Sequence, residues 1–260
     1  MTTDRQTLKA KILGYPRWYH SFQLDLETHI KGWAETNQSY PPSGFEEQHY
    51  SYYHLPEVWD GKSVLDVGGW DGAIAFEMER RGAAQVVVVN PRRLDDLDLP
   101  ASGPGCYDDL LSQYSEKGYP TDYIHSGGAR LLIEWFDSGV KILHGSIYDL
   151  STIVSGQKFD LVCFLGLLYH LRDPLRGLVA AASATRELLV VESWCFDEGH
   201  ELADSKEAYC EFLGAKAGHN WWAFNYRAIE LMLESCGFTR IDRKEQWRSR
   251  VVYHASRGIG

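Results

Sequence analysis

The hydrophobic positions of this chain fall into seven short runs, and most of the ground between them has helical spacing. Val86-Val87-Val88-Val89 is apolar and β-branched throughout, which predicts a strand buried on both faces. Val64-Leu65-Asp66-Val67, Val140-Lys141-Ile142-Leu143, the run from Phe159 to Leu165 and Leu188-Leu189-Val190-Val191 predict four more strands, and residues 238–241 and 250–255 the last two. Residues 73–81, 129–136, 178–184 and 226–236 carry helix formers, with Gly82 and Gly237 placed to stop two of them. Strands alternating with helices predict an α/β fold: a doubly wound, mostly parallel seven-stranded sheet.

Three stretches stand outside that alternation. Residues 1–55 read as an N-terminal lid or extension, with a short helix from Leu8 to Leu13 that Gly14 and Pro16 end, and residues 56–260 as the main domain. Inside the main domain, residues 91–126 are an insertion broken by prolines and glycines, and residues 197–219 read as a polar loop. His49-Tyr50-Ser51-Tyr52-Tyr53-His54 packs rings with polar tips, which suits an aromatic pocket. The expected lid therefore comprises residues 1–55, 91–126 and 197–222.

Composition narrows the class. A chain of 260 residues with 44% hydrophobic content fits one globular domain with extensions. Its longest apolar stretch, Leu161 to Tyr169, is too short to span a bilayer, and the first residues hold no apolar signal core. The five cysteines are odd in number and form no C-x-x-C pair, which points to a reducing cytoplasm rather than a disulfide scaffold or zinc cluster. A net charge of −10 gains little from general attraction to nucleic acid, although six Lys/Arg against two acids lie beyond residue 239.

The chemistry concentrates in Asp66-Val67-Gly68-Gly69-Trp70-Asp71-Gly72. A strand, a glycine turn and a helix start follow one another here, and glycine lets a ligand lie against the main chain. An acid inside the turn would repel a pyrophosphate, so Asp66 predicts a neutral or cationic ligand and argues against a dinucleotide-dependent dehydrogenase. The stretch resembles motif I, D-x-G-x-G-x-G, of the class I S-adenosylmethionine (SAM) methyltransferases, with Trp70 in place of the middle glycine. A second stretch, Leu165-Gly166-Leu167-Leu168-Tyr169-His170-Leu171-Arg172-Asp173-Pro174-Leu175, resembles motif IV and its loop in the enzymes that build carboxymethoxyuridine in tRNA and in their relatives.

The resemblance implies a cofactor, S-adenosyl-L-methionine, held by Asp66, Gly68, Gly69, Trp70, Gly72, Asn90, Ser146, Ile147, Leu165 and Tyr169. Asn90 stands where the family has an acid on the ribose hydroxyls, and its amide offers one acceptor oxygen where a carboxylate offers two. On that reading Asn90→Asp would tighten the cofactor. Ser146 and Ile147 would touch the adenine, and Asp149 would cap the next short helix. The family's tRNA enzymes use a carboxylated SAM that needs basic partners before motif I. Residues 45–59 hold no lysine or arginine, which favours ordinary SAM and plain methyl transfer.

The implied activity is SAM-dependent methyl transfer to a small-molecule acceptor, as in O-methylation of an aromatic or natural-product-like metabolite. The alternatives are a tRNA-modifying methyltransferase or carboxymethyltransferase, and a non-catalytic SAM- or nucleotide-binding protein. Candidate bases are His20, His49, His170 and His219, with His20 and His170 preferred and His20 placed first because its neighbours Trp18 and Tyr19 suit a flat acceptor. No metal is expected, nor a nucleic acid or membrane partner, and a homodimer is left open.

Overall fold

The computed structural model describes residues 4–33, 51–121, 124–197, 199–217 and 219–258; His49 and Tyr50 lie outside the described residues. Helix α1 (Arg5–Leu13) comes first, its N-terminus capped by the Asp4 carboxylate. A hairpin of β1 (Phe22–Asp25) and β2 (Thr28–Ile30) follows. The main body then runs β3 (Ser63–Val67), α2 (Ala73–Arg80), β4 (Gln85–Asn90), α3 (Tyr107–Glu116), α4 (Gly127–Phe136), β5 (Lys141–His144), α5 (Leu150–Ile153), β6 (Phe159–Leu165), α6 (Pro174–Ala184), β7 (Thr185–Trp194), β8 (Cys210–Ala217), β9 (Asn220–Phe224), α7 (Tyr226–Ser235), β10 (Arg240–Trp247) and β11 (Arg250–Ser256).

Seven strands form one sheet in the order β10-β11-β7-β6-β3-β4-β5. The pairs from β7 through β5 are parallel, and β11 runs antiparallel to both its neighbours. The chain leaves β3 towards β4 on one side and returns to β6 on the other. The carboxyl ends of β3 and β6 therefore flank the switch point where open α/β sheets bind ligands. Alternate residues of each strand enter opposite cores. Leu65, Val67, Val87, Val89, Val162 and Phe164 pack against α6 and α7, while Val64, Val86, Val88, Leu161 and Cys163 pack against α2. Burial on both faces is why these strands read as continuous apolar runs.

A third core joins α1 and the β1–β2 hairpin to α4, through Leu8, Ile12, Trp18, Phe22, Leu24, Leu132 and Trp135. Trp135 Nε1 donates to the Leu24 carbonyl at 2.9 Å across that seam. At Gly32 a side chain would collide with the His20 backbone, so the glycine lets the chain after β2 close over residues 19–20.

Two expectations are corrected, for residues 197–219 and for Asp149. Residues 197–219 are not all loop: β8 pairs antiparallel with β9, and Phe212 stands opposite Trp222 with ring centroids 5.1 Å apart. A two-stranded ribbon held by a cross-strand aromatic pair needs little apolar patterning, which hid it. The 91–126 insertion contains α3 and a small core of its own, Leu94, Tyr114 and Ile124. Asp149 makes no capping bond; the Ser146 hydroxyl does, accepting from the Tyr148 N–H at 3.3 Å. Among the described residues no helix is long and apolar enough to cross a membrane.

Candidate functional site

A cavity of about 1080 Å³ opens over the carboxyl ends of β3 and β6. Its floor is the Asp66–Trp70 turn and Leu165-Gly166-Leu167; its walls include residues 15–20, Lys31, Trp33 and Tyr53, residues of the 91–126 insertion, and His219 and Asn220. All three segments expected as lid thus border one space.

Asp66 is 2% exposed, and its Oδ2 has no hydrogen-bond partner among the described residues. Burial pushes its pKa up to about 7, with His20 pulling the other way and Asp71 adding to the rise. A side chain at Gly69 would strike this carboxylate, so the glycine is what lets Asp66 fold under the turn. Gly68 has φ of +74° and lines the cavity. Gly72, with φ of +85°, does not line it: a Cβ there would meet the Phe76 ring, so Gly72 shapes the start of α2.

Trp70, at the position of the motif's middle glycine, has a left-handed backbone, with φ of +51°. The amide of Asn90 stabilises that geometry: Oδ1 accepts from the Trp70 N–H at 3.1 Å, and Nδ2 donates to the Trp70 carbonyl at 2.7 Å and to Ser126 Oγ at 3.1 Å. Asn90 is fully buried, does not line the cavity, and turns its amide to the Trp70 backbone. The Trp70 ring does line the cavity, stacked on His125 with centroids 3.8 Å apart and planes 13° apart. His125 is a residue that sequence reasoning missed; burial drives its pKa down to about 3, with help from Arg17 and His170.

His20 is tied to the glycine turn through Asp71. Asp71 Oδ2 accepts from the Tyr19 and His20 N–H groups, both at 2.8 Å, and Oδ1 lies 2.5 Å from His20 Nδ1. This carboxylate–imidazole contact fixes the orientation of the His20 ring at the cavity wall. His170 differs. Its Nδ1 lies 3.2 Å from the His219 carbonyl, which can only accept, so Nδ1 carries the proton. Burial takes His170 down to about 4, leaving it neutral and weakly basic at pH 7. Across the cavity, Glu192 Oε1 pairs with Arg250 Nη1 at 2.8 Å, while Glu192 Oε2 is buried with no hydrogen-bond partner among the described residues.

Of the residues expected to hold the cofactor, Asp66, Gly68, Gly69, Trp70, Leu165 and Tyr169 line the cavity, as do the candidate bases His20, His170 and His219. Gly72, Asn90, Ser146 and Ile147 do not. Sequence reasoning gave no role at this cavity to Asp71, Arg17, Glu192 or Arg250. Asp71 had the one available signal, a carboxylate inside a glycine turn.

No family model matches the chain. It is similar to the tRNA U34 carboxymethyltransferase of Psychrobacter sp. (strain PRwf-1), 31% identical over 122 residues that make up 46% of this chain and 30% of that protein. It is also similar to the tRNA U34 carboxymethyltransferase of Colwellia psychrerythraea, 26% identical over 195 residues, 72% of this chain and 48% of that one. The chain thus spans less than half the length of these curated relatives. Among solved structures, the N-terminal domain of EvdMO1 with SAH bound superposes with a TM-score of 0.62 at 16% identity, over 98% of both chains. An O-methyltransferase family protein from Burkholderia thailandensis superposes at 0.50 and 12% identity, over 99% of this chain and 69% of that one. At these identities the likeness is one of fold, and the fold is that of the class I methyltransferases, as the motifs implied.

Proposed function

We propose that this chain is a SAM-dependent methyltransferase that methylates an oxygen of a small acceptor held in the cavity over β3 and β6. The observation that carries the proposal is the buried Asp66 carboxylate with its unpartnered Oδ2, set beside the glycine turn at the switch point of the sheet. An orphaned buried carboxylate oxygen calls for an N–H donor or a cation. The ammonium of SAM would supply one, and Gly68, Leu165, Leu167 and Tyr169 would offer the cofactor a wall of backbone and apolar surface. When bound, SAM supplies a methyl group on a positively charged sulfur that leaves as a neutral thioether. His20 takes the acceptor's hydroxyl proton at Nε2, and Asp71 holds the ring for that step. Proximity and alignment supply the rest.

A second reading, an RNA substrate, is favoured by the names of the curated relatives. Against it, three of the C-terminal cations stand beside acids: Arg240 and Lys244 lie 3.5 and 3.6 Å from Asp242, and Arg243 lies 3.6 Å from Asp204. Titration calorimetry with S-adenosylhomocysteine tests the cofactor site; no binding, or unchanged binding in Asp66→Ala, would overturn it. Filter binding with tRNA at two salt concentrations separates the acceptors, since a true RNA site retains tRNA with a steep salt dependence.

A further inference from the structure

We propose that the outer half of the cavity is an anion subsite, in which Arg17, with Lys117 at the rim, binds a carboxylate or phosphate group carried by the acceptor. The inference rests on the reading of this cavity as the acceptor site. The Arg17 guanidinium lies 4.8 Å from the Trp70 ring centroid, 5.3 Å from that of Tyr114 and 5.4 Å from that of Tyr119, and it donates to the Tyr114 hydroxyl. Lys117 Nζ lies 6.0 Å from the same Tyr119 ring. Two cations, one from the N-terminal segment and one from the 91–126 insertion, therefore lie near one aromatic ring at the cavity wall.

Among the described residues, no carboxylate forms an ion pair with either cation. The acids that line the cavity are Asp66, Asp98 and Glu192, and each is placed elsewhere. Asp98 accepts from the Tyr148 hydroxyl and from the Arg172 N–H at 2.7 Å, Glu192 pairs with Arg250, and Asp66 lies under the glycine turn. The chain holds 36 acids against 26 Lys/Arg, so leaving these two cations unanswered runs against its composition. Aromatic faces hold a guanidinium in place without neutralising it. A planar fork so fixed matches the two oxygens of a carboxylate or a phosphate. The charge is felt inside: His125 and His219 are held below the usual histidine range first by burial and also by Arg17, with Asp109 opposing at His219.

The test is titration calorimetry on the full chain with 4-hydroxybenzoate, its uncharged twin 4-hydroxybenzamide, and inorganic phosphate. The acid should bind about tenfold tighter than the amide. Arg17→Gln should bring the two to parity, Arg17→Lys should keep part of the preference, and Lys117→Gln should lower it by about two- to threefold. Thermal melting identifies any variant that fails to fold, and Lys117, exposed at the rim, gives an arm with little risk of that. Phosphate binding tighter than the acid points to a phosphate-bearing acceptor, and the reverse order to a carboxylate. Equal affinities for acid and amide, no heat from acid or phosphate at millimolar concentration, or a preference that survives Arg17→Gln would overturn the subsite. S-adenosylhomocysteine is titrated separately. A chain that prefers the acid but does not bind S-adenosylhomocysteine sinks the proposed function and leaves the subsite standing; the opposite pattern does the reverse.

Discussion

Asn90 grips both polar backbone groups of Trp70, accepting from its N–H at 3.1 Å and donating to its carbonyl at 2.7 Å. A non-glycine residue in the left-handed region costs roughly 1–2 kcal/mol, and this pair of hydrogen bonds offsets it. The two departures from motif I and from the acidic ribose position are therefore coupled. A carboxylate at position 90 could take the N–H but would set a negative charge against the carbonyl. Asn90→Asp should lower stability by about 1–3 kcal/mol and weaken S-adenosylhomocysteine binding, the opposite of what the sequence alone suggests. Thermal melting and calorimetry on the variant check both; tighter binding would restore Asn90 to the ribose.

Asp66 makes ligand affinity and stability depend on pH in opposite ways. Its pKa is raised from 3.8 to about 7 in the folded chain, so the folded state keeps a proton that the unfolded state releases between those values. Its contribution to stability is therefore lost as pH rises from about 3.8 to about 7. A cationic ligand needs the ionised form, so its affinity should climb over the upper part of the same range. Melting curves and calorimetry from pH 5 to 8 should show both slopes flattened in Asp66→Asn. Parental slopes in that variant would assign them to another group.

Replacing His20 separates chemistry from cofactor binding. His20→Ala should reduce turnover by about 10²–10⁴-fold while S-adenosylhomocysteine affinity stays near the parent's. The deficit should shrink as pH rises, because an acceptor hydroxyl that ionises by itself needs no base. Asp71→Asn should displace the pH–rate profile, since Asp71 acts through the ring it holds. Parental turnover in His20→Ala at neutral pH would remove this residue from the mechanism.

His170 is expected to matter for shape. It is neutral, and its Nδ1–H ties the loop after β6 to the turn before β9. His170→Ala should cost about 1 kcal/mol in thermal stability and leave the pH–rate profile unshifted. A shifted profile would move the base assignment from His20 to His170.

The fold was legible because β3, β4 and β6 are buried on both faces, so Val86 to Val89 could be read without any partner in view. The floor of the site was legible for a local reason: Asp66, Gly68 and Gly69 occupy one turn. The walls were not. Arg17 and Tyr114 are 97 residues apart in sequence, and Glu192 meets Arg250 across two strands. Nothing in either segment marks the other. Asn90 was placed correctly at the strand end, but whether an amide faces ligand or backbone depends on Trp70, whose conformation no residue pattern announces.

The Asp71 carboxylate bonds simultaneously to the segment that carries His20 and belongs to the turn that would hold the cofactor. On the proposed reading, an adjustment of that turn on ligand entry would reach His20 and Tyr19 through these bonds. Such mechanical linkage favours a compulsory order of addition, with the methyl donor first and the acceptor entering a chamber that the donor has already shaped. Steady-state kinetics would then show S-adenosylhomocysteine competing with the donor and acting noncompetitively towards the acceptor.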